Sequence, residues 1–389
     1  MRILHLATFL QGGAGRAIVD LVLEQHAAGH DVTVVVSGSG APGYGNYQAY
    51  LDELIGRHIP VRLVDSMFER THAPNLAVVN ALDQMYPAGE EPQVIHAHAA
   101  IPSFVALLFA GSRHGASAIL QTMHGWGLVK TSDQVATDVS VLNLVDRVVV
   151  PSGHSAGILA ALGVSPTRIT MLPYGVRPET RGVDDEDLDT LAAMIRARHR
   201  GALVVACVGT FNHRKNQTLL VDAIGRLADM PVLGVFVGDG DQDDLRAAIA
   251  AHECGERVRV HGYSRGARQL AAAADLLVLP SRSEGQPIAV LEAFCDGTLV
   301  AVSDIPELVE LVDGGLLGFM FRSDDPEDLA GTLRNFARLP ASTRRLIRQR
   351  ARTRYGTRFT VAAMASGYLE LYQTLVTAVD GRRRESPAA

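Results

Sequence analysis

Two carboxylates stand eight positions apart in the stretch SRSEGQPIAVLE, which follows the strand-like run ADLLVLP. Glu284 precedes Pro287, a residue suited to the first position of a helix, and the apolar residues that follow indicate a helix ending at Gly297. Glu292 is then one to two turns inside that helix. A buried glutamate needs hydrogen-bond partners, and the hydroxyl groups of a ligand are suitable ones.

The backbone between the two glutamates can bind an anion. The first N–H groups of a helix have no partner within the helix, and the helix dipole is positive at that end. Gln286, Pro287 and Ile288 lie at this point. The stretch therefore predicts one binding element, with a carboxylate at each end and bare amides between them.

Two adjacent cations follow an earlier strand-like run, ALVVACV. They are Arg214 and Lys215 in the loop VGTFNHRKN, and we expect them to open a helix. Cations at a helix start oppose the dipole unless an anion binds there, so the pair predicts a polyphosphate site. Only two of the 36 basic residues are lysines, Lys130 and Lys215, which singles out the second.

Glycines and a histidine mark two loops in the first half of the chain. In LQGGAG, Gly13 lets a ligand approach the backbone just before a helix. The dinucleotide-binding pattern GxGxxG does not fit, because Ile18 replaces its third glycine and the second strand ends in Ser37 rather than an acidic residue. His124, in QTMHGWG, is flanked by glycine at a strand end, a position suited to chemistry on a ligand.

Two further strand-end loops carry weaker signals. Backbone near His261, Gly262 and Tyr263 offers an edge that a nucleotide base can bind. Asp239 and Asp241 form a D-x-D pattern that can hold a divalent metal on nucleotide phosphates, but a tight turn with a helix cap is the simpler interpretation.

Other candidate sites are incomplete. His96 and His98 in VIHAHAA point to the same side of a strand, yet no nearby cysteine or carboxylate completes a metal site. The three cysteines are far apart and fit neither a disulfide framework nor a zinc site. The basic stretch 342–354 could contact an anionic membrane, although a solvated helix is the simpler interpretation. We therefore predict no metal and no bound cofactor.

The composition bounds the class of protein. The chain has 389 residues, too many for one ordinary core, and a net charge of −6 that gives no general attraction to nucleic acid. No apolar run approaches the roughly 18 residues of a membrane-spanning helix, and the N-terminus MRILHLATFL reads as a strand rather than a signal peptide. We expect a cytoplasmic protein, with contact at the inner membrane surface left open.

Short β-branched runs alternate with helical patterns along the whole chain. Continuous apolar strands between helices indicate parallel sheets covered on both faces, and the series restarts near residue 202, which predicts two doubly wound α/β domains facing across a cleft. The predicted strands are 2–7, 31–36, 61–64, 93–97, 117–122, 147–150, 168–172, 202–208, 232–237, 257–261, 275–279, 299–302 and 318–321.

These stretches together resemble family 4 of the retaining glycosyltransferases, which have the GT-B fold. PSRSEGQPIAVLEAFCDGTLVAVSD is similar to the E-x7-E region of the family, VGTFNHRKN to its G-R-x(4)-K-G phosphate loop, QGGAG to its glycine loop, MHG to its histidine motif and ITMLPYGV to its interdomain stretch. Thr210 departs from the pattern where the family has arginine, as do Asn216 for glycine and Leu299 for proline.

The resemblance implies a domain layout as well as a fold. An acceptor-binding Rossmann-like domain would span 1–176 and a nucleotide-sugar-binding one 177–358. A helix over 359–380 would return to the first domain, and a flexible tail would follow over 381–389.

The resemblance also implies an activity: transfer of a sugar from a nucleotide diphosphate to a hydroxyl acceptor, with retention and without a metal. Glu284 would orient the donor sugar, Glu292 would bind the ribose, and His124 would contact the sugar or assist the acceptor. Lys215, Arg214, the Gly13 backbone and the helix at Pro287 would bind the diphosphate.

Three alternatives remain at this point: a metal-dependent GT-A transferase, a nucleotide-sugar-binding protein without activity, and a nucleotide-sugar epimerase. The acceptor, whether envelope glycan, lipid carrier or small natural product, is expected to be read by residues 37–90, which carry no recognisable code.

Overall fold

The computed structural model describes residues 1–38, 46–65, 67, 69–113, 117–127, 130–179, 182 and 184–385. Its strands are β1 (Arg2–Ala7), β2 (Asp31–Ser37), β3 (Val61–Val64), β4 (Val94–Ala97), β5 (Ala118–Thr122), β6 (Arg147–Val150), β7 (Ile169–Met171), β8 (Leu203–Val208), β9 (Val232–Val237), β10 (Val258–Gly262), β11 (Leu276–Leu279), β12 (Leu299–Ser303) and β13 (Phe319–Phe321). Every predicted strand is present, within one or two residues of its expected ends.

Helices fill the intervals between the strands. They are α1 (Gly12–Ala27), α2 (Gln48–Gly56), α3 (His72–Met85), α4 (Ala100–Ser112), α5 (Ser132–Leu144), α6 (Gly153–Ala161), α7 (Leu188–His199), α8 (Thr218–Gly225), α9 (Asp243–Ala251), α10 (Ala267–Ala273), α11 (Ile288–Asp296), α12 (Pro306–Leu311), α13 (Pro326–Arg338), α14 (Ala341–Arg358) and α15 (Val361–Glu385).

The chain divides into two compact units. The first comprises Met1–Gly175 and Val361–Ala389, and the second Val176–Thr360. Each unit has its own parallel sheet, so the prediction of two doubly wound α/β domains is confirmed. The acceptor region expected over 37–90 includes positions, among them 39–45, that lie outside the described residues.

The first unit is built on a sheet with strand order β3-β2-β1-β4-β5-β6-β7. Strands β4 and β5 are buried along their whole length, as expected for parallel strands with helices on both faces. Helix α15 packs on α1 and β5, and its Tyr368 and Tyr372 are almost completely buried. The C-terminal helix is therefore part of the core of the first unit.

The second unit has the strand order β10-β9-β8-β11-β12-β13. In both sheets the first three strands are added one after another toward one edge. The chain then returns to the first strand of the sheet, and the later strands are added toward the other edge. The order reverses between β1 and β4 in the first unit and between β8 and β11 in the second. Ligands of open α/β sheets bind at the carboxyl ends of the strands beside such a reversal.

Three predicted helix boundaries need correction. Arg214 and Lys215 do not open a helix: they lie in a turn, and α8 begins at Thr218. Pro287 is the residue before α11 rather than its first position. Helix α15 continues to Glu385, so the first five residues of the tail expected to be flexible are helical, and 386–389 lie outside the described residues.

The basic stretch 342–354 lies within α14. Two of its arginines form hydrogen bonds within the second unit. Arg348 donates to the carbonyl of Gly297 at 2.6 Å, and Arg352 donates to the carbonyl of Asp296 at 2.8 Å. These bonds satisfy carbonyls at the C-terminal end of α11. Among the described residues, no helix has the length and apolar character needed to cross a membrane.

Candidate functional site

Arg214, Lys215 and Glu284 meet at the order reversal of the second sheet. The Lys215 Nζ lies 2.6 Å from the Glu284 Oε1, and an Arg214 guanidinium nitrogen lies 3.0 Å from its Oε2. We refer to these three residues as the cation–carboxylate cluster. The sequence placed them in two separate candidate loops; the adjacency of β8 and β11 brings those loops side by side.

Backbone hydrogen bonds tie the two loops together. The Arg282 amide donates to the Arg214 carbonyl at 2.8 Å, and the Arg214 guanidinium donates to the Ser283 carbonyl at 2.9 Å. Asn216 has a φ of 53°, a left-handed conformation that glycine and asparagine adopt most readily. This conformation accounts for asparagine at a position where the resembling family has glycine.

The cluster keeps Glu284 ionised although its side chain is only 4% exposed. Burial alone would raise the pKa of Glu284, but the charges of Lys215 and Arg214 outweigh burial and hold that pKa below its usual value. With two cations and one carboxylate, the cluster carries one net positive charge.

Helix α11 starts four residues after Glu284, at Ile288. Pro287, the residue before its first turn, forms no capping bond through its side chain, and the turn holds no acidic residue among those described. The first N–H groups of α11 are therefore positioned to bind an anion. At the other end, Gly297 has a φ of 80° and terminates the helix, as the sequence predicted.

Glu292 lies in α11 near an arginine that the sequence did not reveal. Burial would lower the pKa of Arg268, but its hydrogen bond to Asp296 and the charge of Glu292 raise it. Arg268 forms a two-point pair with Asp296, at 2.7 and 2.6 Å. The carboxylate of Glu292 therefore has a cationic neighbour. Arginine is abundant in this sequence, so the position of Arg268 in the sequence gave no sign that it would lie near Glu292.

Glycines let the loops after β8, β9 and β10 approach closely. A side chain at Gly238 would collide with the Gly209 carbonyl, and the Gly238 amide donates to the Gly262 carbonyl at 2.7 Å. Gly262 has a φ of 85°, and the residue beyond it, Tyr263, is 52% exposed. His261, by contrast, turns inward, with Nε2 2.7 Å from Asp187.

The D-x-D pattern forms a turn. The Asp239 side chain accepts from the Gly240 amide at 2.7 Å, and the Asp241 side chain accepts from the Asp243 amide at the start of α9 at 2.9 Å. Each carboxylate thus has a local structural role of the kind that Asp commonly fills in turns and helix starts.

In the first unit, His124 lies at the end of β5 with both ring nitrogens engaged. Its Nδ1 is 2.7 Å from the Tyr174 hydroxyl and its Nε2 is 3.1 Å from His98 Nδ1. Burial lowers the pKa of His124 to about 4, so the ring is neutral near pH 7. Gly13 is exposed in the first turn of α1, whose preceding residue, Gln11, makes no capping bond through its side chain.

His96 and His98 lie side by side, with ring centroids 4.1 Å apart. His5 joins them, and ring nitrogens of these three histidines lie within 4.8 Å of one another. His5 is an inward-facing residue of β1, and its only sequence signal was a histidine in an otherwise apolar strand.

Family models match both halves of the chain. Residues 11–180 match Glycosyltransferase Family 4, and residues 202–338 match Glycosyl transferases group 1. The chain belongs to glycosyltransferase family 4. The second match begins beside β8 and contains the cation–carboxylate cluster, and the first contains Gly13 and His124.

Curated relatives agree with this membership. D-inositol 3-phosphate glycosyltransferase 1 of Catenulispora acidiphila is 29% identical over 284 residues, which cover 66% of each chain. UDP-Gal:alpha-D-GlcNAc-diphosphoundecaprenol alpha-1,3-galactosyltransferase of Escherichia coli is 24% identical over 259 residues, covering 63% of this chain and 66% of that protein. The chain thus spans just under two thirds of the length of these curated relatives.

The fold is shared with the Anabaena protein Alr3699/HepE in complex with UDP-glucose. The TM-score is 0.79 at 20% sequence identity, over 96% of this chain and 100% of the other. The GT-B fold that the family resemblance implied is therefore confirmed.

Proposed function

We propose that the protein is a glycosyltransferase that moves a sugar from a nucleotide diphosphate to a hydroxyl acceptor, with retention and without a metal. The observation that carries the proposal is the cation–carboxylate cluster beside the uncapped start of α11. This arrangement combines two cations, the first amides of α11 and a buried carboxylate. A diphosphate needs the first two features, and a sugar rich in hydroxyl groups needs the third.

The difficult step is the departure of the diphosphate. Cleavage of the bond between the sugar and the phosphate leaves negative charge on the leaving group while the sugar becomes oxocarbenium-like. Lys215, Arg214 and the amides at the start of α11 would stabilise that charge, and each preorganised donor of this kind can contribute roughly 10²–10³ in rate. Glu284 would accept hydrogen bonds from the sugar.

Further contacts complete the proposed donor site. Glu292 would bind the ribose hydroxyls, and the exposed residue Tyr263 with the backbone at Gly262 would bind the base. The family resemblance assigns His124 and the Gly13 backbone of the first unit to the donor sugar and diphosphate. Because His124 is neutral, it would act there as a hydrogen-bonding group rather than as a cation.

A panel of UDP-, GDP-, ADP- and dTDP-sugars tests the proposal. We expect one nucleotide sugar to raise the melting temperature of the protein, and NMR of the product formed on a hydroxyl acceptor to show the anomeric configuration of the donor. Binding without turnover across sugar, polyol and lipid-linked acceptors would favour a binding protein. Isomerised donor without acceptor would favour an epimerase.

A further inference from the structure

A continuous chain of hydrogen bonds runs through the interior of the first unit and ends at His124. Gln25 Oε1 lies 2.7 Å from His5 Nε2, and His5 Nδ1 lies 2.9 Å from His98 Nε2. His98 Nδ1 then lies 3.1 Å from His124 Nε2, and His124 Nδ1 lies 2.7 Å from the Tyr174 hydroxyl. We call these five residues the histidine chain.

A second branch leaves from the other end of the Gln25 amide. Gln25 Nε2 donates to the Tyr372 hydroxyl at 3.1 Å, and that hydroxyl lies 2.7 Å from His96 Nδ1. His96 Nε2 lies 2.7 Å from the Thr122 hydroxyl, which lies 2.8 Å from that of Tyr368. Both tyrosines belong to α15, so the C-terminal helix is tied into the same network.

The histidine chain crosses the order reversal of the first sheet. His5 lies on β1, His98 directly follows β4, and these two strands are neighbours at the reversal. Gln25 and His5 are fully buried, and His98 is 7% exposed. His124, at the end of β5, is the partly exposed member of the chain.

The Gln25 carboxamide gives the chain a direction. A carboxamide oxygen can only accept, so His5 must carry its proton on Nε2. A neutral imidazole has one donor and one acceptor, so His5 Nδ1 accepts from the Nε2–H of His98. His98 Nδ1 in turn accepts from the Nε2–H of His124, whose Nδ1 accepts from the Tyr174 hydroxyl.

We propose that Gln25 is a positioning residue that fixes the tautomer and ring orientation of His124 from three hydrogen bonds away, through His5 and His98. The role in catalysis rests on the proposed function, in which His124 contacts the donor sugar. The chain ends at an amide oxygen, which is a very weak base. It therefore holds His124 in one neutral form and does not carry protons away from it.

A metal ion is the competing occupant of this cluster, because His5, His96 and His98 converge. All six of their ring nitrogens already have hydrogen-bond partners within the unit. An ion would have to displace several of these bonds, including the bond from Gln25. The geometry therefore favours the hydrogen-bonded form.

Long-range ¹H–¹⁵N correlation spectra of the full chain, labelled at histidine nitrogens and free of donor, test the tautomers directly. We expect His5, His98 and His124 all to carry the proton on Nε2. A proton on Nδ1 of any of the three would overturn the proposal. So would stoichiometric zinc in the purified protein, or a shift of these signals on addition of Zn²⁺.

Two buried substitutions separate positioning from simple packing. Methionine in Gln25→Met has a shape similar to glutamine but lacks the amide. We expect this variant to contain His124 in a mixture of tautomers. We also expect its kcat/KM to fall about tenfold, a loss typical of removing the group that orients a functional histidine. Thr122→Val, in the second branch beyond His96, should keep the His124 tautomer and kcat/KM within about twofold of the parent.

The outcomes also separate the two proposals. An unchanged His124 tautomer in Gln25→Met would overturn the positioning role even if the enzyme remained a transferase. Correct tautomers in a protein that transfers no sugar would overturn the function and leave the histidine chain intact. Circular dichroism checks that both variants are folded, and the tautomers of the unmodified protein require no variant.

Discussion

Lys215 and Glu284 are 69 positions apart in the sequence, yet the Nζ of one lies 2.6 Å from the Oε1 of the other. The pair joins the loops after two neighbouring strands at the point where the strand order reverses. The lysine thereby compensates the charge of a buried carboxylate. A diphosphate would compete with that carboxylate for Lys215 and Arg214, leaving Glu284 more able to accept hydrogen bonds from a sugar.

A double-mutant cycle should show strong coupling between these two residues. We expect Lys215→Met and Glu284→Gln to interact by about 1–3 kcal/mol in the free energy of unfolding, because removal of either partner leaves a buried charge poorly compensated. Urea unfolding of the two single variants and the double variant measures it. The more exposed pair Arg354–Asp313, with side chains 31% and 44% exposed, is the control and should couple by less than about 1 kcal/mol.

Loss of the Lys215 charge should mainly impair use of the donor. We expect Lys215→Ala to lower kcat/KM for the nucleotide sugar by roughly 10²–10³, the scale of one preorganised donor to a leaving group. Steady-state kinetics with varied donor measure this effect. Lys130→Ala is a matched control, because Lys130 also pairs with a buried carboxylate, Asp138, at 2.7 Å. An unchanged kcat/KM in Lys215→Ala would contradict the role of this lysine.

The buried histidines should make the first unit sensitive to mild acid. Burial lowers the pKa of His5 and His124 to about 4, and those of His96 and His98 well below the usual value. In the unfolded chain these groups bind protons near pH 6.5, so unfolding takes up protons between about pH 6.5 and 4. Stability is therefore fully present above about pH 7 and decreases as the pH falls.

Each histidine can contribute up to about 1.4 kcal/mol per pH unit across that window. The slope is measured by urea unfolding at several pH values between 7.5 and 5. The fluorescence of the single tryptophan, Trp126, reports on unfolding of the first unit. The variant His26→Gln, which replaces an exposed histidine, is the control and should show the same slope of unfolding free energy against pH. A free energy of unfolding that stays constant over this range would contradict the neutral, buried state of the cluster.

Much of the fold was predictable because parallel strands buried on both faces produce short apolar runs rich in β-branched residues, as in LVVACV. The position of the loops that carry the cation–carboxylate cluster was also predictable, since they follow such runs. The pairing of Glu284 with Lys215 was not, because it depends on which strands are neighbours, and a sequence pattern does not give strand order.

Two other features escaped prediction for related reasons. The start of α8 at Thr218 rather than near Arg214 follows from the left-handed backbone of Asn216, which breaks the helical pattern locally. The histidine chain joins β1, α1, β4 and the end of β5, so its members are scattered along the sequence. The histidines in these runs gave no sign that they would join Gln25 in one hydrogen-bonded chain.

Sugar transfer should persist after removal of divalent metal. The proposed site meets the diphosphate with Lys215, Arg214 and helix amides, and Asp239 and Asp241 already bind backbone amides in their own turn. We expect kcat/KM in excess EDTA to stay within about twofold of the untreated value, because the cations and helix amides supply the charge stabilisation that a metal would otherwise provide. The double variant Asp239→Asn with Asp241→Asn should behave in the same way. Loss of activity in EDTA that Mn²⁺ restores in the parent but not in that double variant would instead establish a metal site at the D-x-D turn.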